Sequence, residues 1–378
     1  MKRLTAALLA LCLAVLPVHA SSAPAVTVSA PSAILIEKQT GTILYEKDAH
    51  TKYEPASVTK VMTLLLTMEA IDAGDLGWED TVTASPHAIS MGGSQIWLKE
   101  HEQLSVRDMV KAVAVVSAND CAVALAEHIA GSEEAFVALM NRRAGELGMA
   151  DTTFRNCTGL PAAGHETSAH DIALLSRELI LRHPEIREFT TIWMDTLRDG
   201  QFQLSNTNKL IRYYEGATGL KTGYTATALH CLSATAERDG MELIAVVMHA
   251  PTSSDRFESA KALLSYGFAN YTLLPVQPNE VIPPVPVLLG QEDTVQPVPA
   301  RECAILVSKS ERGEVTTRMT LCENVEAPVE AGQKLGELQV YVGDTLRDTI
   351  DLVAARSVER LTVGGIFKNL LRQLFMAG

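Results

Sequence analysis

A serine and a lysine three residues apart begin a helical pattern in the stretch EPASVTKVMT, residues 54–63. Positions i and i+3 of a helix share a face, so Lys60 can accept a proton from Ser57. A serine hydroxyl is a weak nucleophile at its ordinary pKa and needs a base of this kind. The pattern S-x-x-K also arises by chance about once in a chain of this length at average residue usage. The pair therefore predicts a nucleophile only if further motifs accompany it.

Two further short motifs follow in the chain. VVSAND places Ser117 and Asn119 at the junction of two helical patterns, and TGLKTGYT places Lys221, Thr222 and Gly223 before strand-like sequence. Alone, S-x-N is weak, and K-T-G is expected by chance in about one chain in ten. In this order the three motifs resemble the set found in penicillin-binding proteins and serine β-lactamases. They predict acyl transfer through a covalent serine intermediate.

Helical patterns surround the first two motifs. Apolar periodicity predicts helices over residues 58–73, 105–118, 119–131, 133–148, 171–182 and 255–266. Ser105 and Ser132 precede two of these patterns and are predicted N-caps. The short motifs therefore fall at helix starts, where side chains can be held in fixed positions.

Strand patterns lie before and after the helices. Apolar runs at residues 33–36 and 42–45, with Gly41 between them, predict a hairpin. The segments HCLSATAE and MELIAVVMHA predict two adjacent strands joined by a turn at residues 238–240. Strands at both ends with helices between them predict an antiparallel sheet closed by the two ends of one α/β domain.

The residue composition and the hydrophobic pattern of the chain change near Pro275. Seven of the sixteen prolines lie in residues 275–300, where helical periodicity disappears. From residue 301 to 354 short alternating strands follow, with turns predicted at Gly313, Gly332, Gly336 and Gly343. This pattern predicts a first domain over residues 28–275 and a small all-β domain over residues 276–358.

The two ends of the chain predict export and attachment to a membrane. Residues 1–20 combine a basic start, an apolar stretch and a small-x-small site before Ser21, which predicts a cleaved signal peptide. Residues 361–378 form an amphipathic pattern, too short to span a bilayer, with cations beside aromatic and leucine residues. It predicts a helix at the outer face of the cytoplasmic membrane. Docking on the β-domain or on a partner is the alternative.

Charge and cysteine content exclude some functions. The net charge is −13, and −15 without Lys2 and Arg3 of the leader, which argues against nucleic acid as a partner. Without Cys12 five cysteines remain, so at least one is free or forms an intermolecular bond. The segment 303–322 reads as two strands around Arg312-Gly313. A two-residue turn would place Cys303 opposite Cys322, and a disulfide and two reduced thiols both remain open.

No metal or cofactor motif stands out in the sequence. HETSAH, residues 165–170, looks like a zinc-protease motif, but its histidines are five apart and would not share a helix face. We expect a loop with ordinary polar residues there. The reaction predicted from the serine motifs requires no cofactor.

Longer segments extend the resemblance to one family. PASVTKVMT, SANDCAVALAE, NCTGLPAAGHETSAHDIALLSREL, TNKLIRYYEGATGLKTGYT and APTSSDRFESAKALLSYGF resemble serine-type D-alanyl-D-alanine carboxypeptidases, the low-molecular-weight penicillin-binding proteins of peptidase family S11. The resemblance covers roughly residues 28–275. It implies a β-lactamase/transpeptidase-like α/β (α+β) fold, followed by a small all-β domain and an amphipathic helix.

The resemblance implies a role for each motif residue. Ser57 would attack, Lys60 would be the base, and Ser117 would relay a proton to the leaving amine. Asn119 would hold Lys60 and the substrate amide. The terminal carboxylate of the substrate would bind Lys221, Thr222 and Arg256 of SDRF, while Gly223 would admit the substrate strand. The oxyanion hole would be the backbone N–H groups of Ser57 and Tyr224.

Several positions depart from the family pattern. Tyr224 replaces a histidine that some relatives carry, and Cys157 stands where proline is commoner. His230 and Cys231 lie in or beside the strand that should border the cleft. We interpret His230 as a hydrogen-bonded strand histidine and Cys121 as a small buried residue.

The implied activity removes the terminal D-alanine from peptidoglycan stem pentapeptides, with β-lactams as inhibitors that acylate the same serine. A β-lactamase is less favoured because no E-x-x-L-N segment accompanies Glu166. A D,D-endopeptidase remains open. A non-catalytic penicillin sensor would not need the complete residue set.

Overall fold

The computed structural model describes residues 26–365. In that range the helices are α1 (Lys60–Asp72), α2 (Pro86–Ile89), α3 (Val106–Val115), α4 (Asn119–Ala130), α5 (Glu133–Glu146), α6 (Ala169–Arg182), α7 (Arg187–Thr190), α8 (Leu210–Tyr213) and α9 (Ser253–Asn270). Short 3-10 turns cover Ala56–Thr59, Pro184–Ile186 and Arg312–Glu314.

The strands fall into two groups along the chain. The first group is β1 (Ser32–Glu37), β2 (Ile43–Lys47), β3 (Thr81–Thr83), β4 (Gln103–Ser105), β5 (Met194–Leu197), β6 (Phe202–Ser205), β7 (Ala217–Thr225), β8 (Leu229–Arg238) and β9 (Met241–Ala250). The second group is β10 (Tyr271–Pro275), β11 (Val285–Leu288), β12 (Thr294–Val295), β13 (Pro297–Pro299), β14 (Ala304–Ser308), β15 (Val315–Leu321), β16 (Val325–Glu326), β17 (Lys334–Val342) and β18 (Thr345–Ala354).

A five-stranded antiparallel sheet forms the centre of the first part, in the order β2-β1-β9-β8-β7. The predicted sheet is confirmed, because β1 from the start of the chain pairs with β9. Both predicted hairpins are also confirmed, with Gly41 at φ +71° and Gly240 at φ +76° in their turns. Strand β7 lies at the edge of the sheet.

Helices cover both faces of this sheet. Along β1 the side chains of Ile34 and Ile36 enter the core formed with α1, α3, α4 and α6, whereas Ala33 and Leu35 enter the core formed with α9. This alternation follows from the period of two in a strand. The predicted caps are confirmed, since Ser105 Oγ accepts from Asp108 N at 3.1 Å and Ser132 Oγ accepts from Ala135 N at 3.1 Å.

The second group of strands builds three small sheets. Their orders are β13-β18-β17-β15, β12-β11-β16 and β10-β14. The hairpin expected between Cys303 and Cys322 is wrong, because β14 pairs with β10 and β15 pairs with β17. Both cysteines are free.

The predicted glycine turns are only partly right. Gly332 and Gly343 adopt positive φ in turns, and Gly313 lies in the last 3-10 turn. Gly336 instead lies inside β17, at a shift in its register with β18. An added Cβ there would be 2.2 Å from the Thr320 carbonyl oxygen, so the close approach of β15 explains this glycine.

The two predicted terminal segments fall largely beyond the structure. The signal peptide over residues 1–20 and all but the first residues of the amphipathic segment 361–378 lie outside the described residues. Among residues 26–365, no helix combines the length and the apolar character that a membrane crossing needs.

Candidate active site

The structure brings Ser57 and Lys60 together at the start of α1. Ser57 lies in the 3-10 turn Ala56–Thr59, and Lys60 is the first residue of the helix. Lys60 Nζ lies 3.0 Å from Ser57 Oγ and also donates to the Thr158 carbonyl oxygen at 2.7 Å. Ser57 is half-buried and Lys60 is fully buried. The Ser57 hydroxyl is therefore accessible in part, while the Lys60 amine is shielded from water.

Burial changes the protonation of Lys60. It lowers the pKa of the Lys60 ammonium from 10.5 to about 7, against smaller opposing effects of Cys157 and Asp120. Removal from water disfavours the charged form of an amine. Near neutral pH a large fraction of Lys60 is thus uncharged and able to accept a proton.

A loop that the sequence motifs did not single out supports this pair. Asn156 Oδ1 accepts from the backbone N–H groups of Thr158 at 3.2 Å and Gly159 at 2.7 Å. Gly159 has φ +84°, and an added Cβ would lie 1.8 Å from the Ala56 carbonyl oxygen. Only glycine fits there. The loop thereby fixes the carbonyl of Thr158 beside Lys60, and the N-x-x-G turn signal in NCTG is the pattern that could have indicated it.

Two non-glycine residues at the site adopt positive φ. Ala56, directly before the nucleophile, has φ +48°, and Ser117 has φ +65°. Such conformations are costly for residues with a Cβ and occur preferentially at functional sites. They place the Ser57 turn and the Ser117 hydroxyl at the expense of local backbone energy.

Ser117 and Asn119 stand at the start of α4. The hydroxyl oxygen of Ser117 is buried and has no hydrogen-bond partner among the described residues. Asn119 Nδ2 donates to the Gly92 carbonyl oxygen at 2.6 Å, and its Oδ1 is likewise buried without a partner. No hydrogen bond joins Asn119 to Lys60 within residues 26–365, contrary to the expectation that it holds the lysine. Two polar atoms of the site therefore lack a hydrogen-bond partner within the described residues.

Strand β7 carries Lys221 and Thr222 into the same site. Lys221 is buried, and its Nζ donates to the Thr222 carbonyl oxygen at 2.9 Å. Thr222 Oγ1 donates to Thr207 Oγ1 at 2.7 Å. Burial lowers the pKa of Lys221 well below its ordinary value, and the charges of Lys60 and Arg256 lower it further. The charge of Lys60 thus contributes to the lowered pKa of Lys221, and burial is the main cause of the lowered pKa of both lysines.

Gly223 permits a close packing of β7 against the turn that carries Ser57. A Cβ on Gly223 would lie 2.9 Å from the Pro55 carbonyl oxygen and 3.1 Å from the Ser57 backbone nitrogen. From the sequence we expected Gly223 to make room for the substrate, but the position of its missing side chain faces the protein. It makes room for the turn that carries Ser57.

Arg256 lies behind β7, near the start of α9. One guanidinium nitrogen, Nη1, donates to the carbonyl oxygens of Gly223 at 3.0 Å and Cys231 at 3.3 Å. Burial lowers the pKa of Arg256 to about 10, and its Nε has no hydrogen-bond partner among the described residues. Arg256 therefore anchors the backbone of β7 and β8 in this structure.

Two aromatic rings lie at the outer end of β7. Tyr224 is 59% exposed, and its ring stacks on His230 with ring centroids 4.5 Å apart. Burial lowers the pKa of His230, and the charge of Arg256 adds to this effect. His230 Nδ1 is buried without a hydrogen-bond partner among residues 26–365, so the expectation of a hydrogen-bonded histidine is wrong for this atom.

Three cysteines near the site are buried thiols. Cys121, Cys157 and Cys231 are all buried, and burial raises the pKa of each thiol. The interpretation of Cys121 as a small buried residue is confirmed. A thiol with a raised pKa carries little thiolate, so none of the three is a competing nucleophile.

The HETSAH segment contributes one buried side chain to the site. It is a loop up to Ser168, and α6 begins at Ala169. His165 is buried, and its Nε2 lies 3.0 Å from Thr59 Oγ1, beneath the turn that carries Ser57. Burial lowers the pKa of His165 to about 4, so the ring is neutral. His165 packs beneath the turn that carries Ser57. No short sequence motif indicates this contact.

Comparison with known proteins agrees with this geometry. Residues 18–252 match the family Peptidase S11, D-alanyl-D-alanine carboxypeptidase, and residues 272–360 match the C-terminal domain of penicillin-binding protein 5. The chain is 43% identical to D-alanyl-D-alanine carboxypeptidase DacF of Bacillus subtilis over 314 residues, which are 82% of this chain and 80% of DacF. It is 32% identical to DacC of Escherichia coli, covering 90% and 88% of the two chains.

Solved structures show the same architecture. Penicillin-binding protein 5 of Haemophilus influenzae superposes with a TM-score of 0.76 at 30% identity, covering 88% of this chain and 98% of that one. Penicillin-binding protein D2 of Listeria monocytogenes, in its ampicillin-bound form, has a TM-score of 0.60 at 34% identity and covers 65% of this chain and 100% of its own. The chain belongs to the D-alanyl-D-alanine carboxypeptidase family, peptidase S11.

Proposed function

We propose that this chain is a serine-type carboxypeptidase that removes the terminal D-alanine from peptidoglycan stem pentapeptides. The observation that carries the proposal is the 3.0 Å contact between Ser57 Oγ and Lys60 Nζ, with a lysine whose pKa is lowered to about 7. A buried amine with this pKa is a suitable base for a serine near neutral pH. Membership of the peptidase S11 family supports the choice of substrate.

Acylation begins with proton transfer from Ser57 to Lys60. The Ser57 oxygen attacks the carbonyl carbon of the D-Ala-D-Ala bond, and a tetrahedral oxyanion forms. The backbone N–H groups of Ser57 and Tyr224 stabilise this charge. The close packing of Gly223 on the Ser57 turn supports this assignment, because it keeps the two backbone segments together.

Collapse of the tetrahedral intermediate releases D-alanine. Ser117 passes a proton from Lys60 to the leaving amine, and its unpartnered hydroxyl is free for this task. Asn119 offers its free Oδ1 to the N–H of the substrate amide. Water then hydrolyses the ester of Ser57, with the same lysine acting as base.

The requirement for a free C-terminus follows from the positive charges behind the cleft. Lys221 and Thr222 bind the substrate carboxylate, and a bound anion raises the pKa of Lys221 again. Arg256 adds its charge and holds the Gly223 carbonyl, so it acts from behind β7. An internal peptide bond lacks the carboxylate and binds less well.

β-Lactams acylate the same serine and inhibit the enzyme. The ampicillin-bound form of the Listeria neighbour supports this part of the proposal. The β-lactamase alternative is not favoured, because Glu166 forms a surface ion pair with Lys52 at 3.1 Å. A deacylating glutamate would instead have to reach a water molecule beside Ser57.

The proposal includes the location and organisation of the chain. We infer a cleaved signal peptide over residues 1–20, a peptidase domain over 28–275, a β-domain over 276–358 and a membrane-associating helix over 361–378. Peptidoglycan lies outside the cytoplasm, so the substrate requires export. The basic start and apolar stretch of the leader support export.

The test is release of D-alanine from diacetyl-Lys-D-Ala-D-Ala. We expect release by the wild type, none by Ser57→Ala, and inhibition by added penicillin. No release by a wild type that is stably labelled with fluorescent penicillin would contradict the carboxypeptidase and indicate a sensor. Rapid turnover of penicillin without release of D-alanine would indicate a β-lactamase.

A further inference from the structure

A histidine and two carboxylates meet at the ends of two helices, away from the serine site. Asp72 is the last residue of α1, His183 follows the end of α6, and Glu185 lies in the next 3-10 turn. The backbone of His183 is fixed, since its N–H donates to the Leu179 carbonyl oxygen at 2.9 Å. Helix C-termini carry partial negative charge, so two of them favour a cation at this position.

The three side chains point their donor atoms at one small region. His183 Nδ1 lies 2.9 Å from Asp72 Oδ2 and 3.9 Å from Glu185 Oε1. One donor atom from each residue can be chosen so that all lie within 4.8 Å of one another. More than 100 residues of sequence separate Asp72 from His183, so no spacing motif could reveal the cluster.

The histidine provides an independent indication of a ligand. The His183 side chain is only 6% exposed, and its Nδ1 is buried without a hydrogen bond of acceptable geometry among the described residues. The nearby Asp72 oxygen does not lie where the ring nitrogen could donate to it. Buried polar atoms nearly always have a hydrogen-bond partner, so the unpartnered His183 nitrogen indicates a position where a ligand can bind.

We propose that His183, Asp72 and Glu185 form a binding site for Zn²⁺. An imidazole with two carboxylates is a donor set that zinc accepts, whereas Ca²⁺ and Mg²⁺ prefer oxygen ligands throughout. Tetrahedral bonds of about 2.0–2.2 Å place neighbouring ligand atoms about 3.4 Å apart. The distances of 2.9 and 3.9 Å lie on either side of this value.

The exposure of the three side chains suits such a site. Asp72 and Glu185 are 55% and 37% exposed, so their carboxylates can adjust, while the buried imidazole is fixed. Three protein ligands leave the fourth position of the metal to water from the solvent side. Metal binding then links the end of α1 to the segment after α6.

The metal site is separate from the proposed reaction. Helix α1 has 13 residues, and at 1.5 Å per residue Asp72 lies about 18 Å along the axis from Lys60. The ion therefore contributes no group to the serine chemistry. We expect Zn²⁺ to raise the melting temperature and to leave the acylation rate by penicillin unchanged.

The test is titration of chelator-treated full-length protein with ZnCl₂ by calorimetry, in a Cys322→Ser background because Cys322 is an exposed thiol. We expect one equivalent to bind with a micromolar Kd. His183→Ala should weaken binding at least tenfold, and Asp72→Asn and Glu185→Gln at least fivefold each. These two carboxylates are partly exposed, so their variants test the site even if His183→Ala fails to fold.

The matched control is His50→Ala, because His50 pairs with Asp151 at 2.8 Å and, within residues 26–365, belongs to no group of three donor side chains close enough to share a metal ion. This variant should bind Zn²⁺ as the background protein does. Absence of saturable binding, or binding that Asp72→Asn and Glu185→Gln both leave intact, would overturn the proposal. Neither result would bear on D-alanine release, which tests the serine site separately.

Discussion

The proposed role of Lys60 as the base for Ser57 predicts how the reaction depends on pH. Only neutral Lys60 can accept the Ser57 proton, and burial lowers the pKa of Lys60 to about 7. The acylation rate should therefore be low in acid, rise as pH increases through about 7, and level off above it. The measurement is the second-order rate constant for labelling by a fluorescent penicillin between pH 5 and 9.

A histidine near the site provides the control for this profile. His230 stacks on Tyr224, and an imidazole also titrates close to this pH range. His230→Phe should preserve the inflection near pH 7 if Lys60 is the titrating base. A profile that is flat from pH 5 to 9, or an inflection lost with His230, would contradict the assignment to Lys60.

The packing of Gly223 on the Ser57 turn makes a second prediction. A methyl group at this position meets the Pro55 carbonyl oxygen at 2.9 Å and the Ser57 nitrogen at 3.1 Å, so one backbone segment must move. A displacement of about 1 Å at reacting groups can reduce a rate about 100-fold. We expect Gly223→Ala to lower penicillin acylation on that order.

Gly92→Ala is the matched control for this substitution. The Gly92 carbonyl accepts from Asn119, yet a Cβ on Gly92 would meet no atom within 4 Å. Its acylation rate should stay within about twofold of the wild type, since nothing near Ser57 has to move. Equal losses of acylation rate in both variants would contradict the prediction, because they would show that the contact between Gly223 and the Ser57 turn is not the cause.

At the residue scale, local geometry decided what the sequence could predict. The contact of Ser57 with Lys60 spans three residues of one helix start, and helix periodicity predicts it directly. The contact of Lys60 with the Thr158 carbonyl spans 98 residues and depends on a loop that packs on the Ala56 turn. No local pattern encodes that distance, so the contact required the structure.

Helix α5 offers a test at the scale of one element. Gly145 lies within the helix and Gly148 lies just after it at φ +73°, and a Cβ on either would meet no atom within 4 Å. Alanine in a helix gains up to about 1 kcal/mol over glycine, whereas alanine at positive φ costs about 1–2 kcal/mol. Gly145→Ala should therefore raise the melting temperature and Gly148→Ala should lower it.

The two variants are each other's control, because they differ in backbone conformation and not in contacts. For a domain of 150–250 residues, 1 kcal/mol corresponds to about 2–4 °C, which sets the scale of the shift in thermal unfolding. Shifts of the melting temperature with the same sign in both variants would mean that α5 does not end between Gly145 and Gly148.

Elements defined by short-range signals were predicted well, and strand pairing in the second half was not. Ser105 and Ser132 cap their helices because each serine accepts from an N–H three residues later. Between β14 and β15, residues 309–314 include a 3-10 turn in place of a two-residue turn. Each strand pairs instead with a strand distant in sequence, β10 or β17. Alternation identifies a strand but does not name its partner.

At the scale of the whole molecule, the amphipathic segment predicts how the protein partitions. Deleting residues 364–378 should release the protein from membranes and leave D-alanine release in solution unchanged. The proposed attachment is through the apolar residues of this segment, and the serine site contains none of its residues. The measurement is co-sedimentation with anionic vesicles of the full-length and truncated proteins.

A substitution within the same segment controls for chain length. Leu370→Glu with Leu371→Glu places two carboxylates on the apolar face and should release the full-length protein as the deletion does. A truncated protein that still sediments with the vesicles would exclude attachment through this segment.

The pairing of β1 with β9 also has a consequence for the order in which the molecule can form during synthesis. All six residues of β1 are buried, yet its neighbour β9 begins more than 200 residues later. At about 5–20 residues per second, the ribosome needs on the order of 10–40 s to deliver that partner. Until then the nascent chain exposes an apolar strand with one open edge. Before β9 emerges, the first part can form only local helices and pairs of strands close in sequence, such as β1-β2, β5-β6 and β7-β8. A holding chaperone has this interval in which to bind the strand.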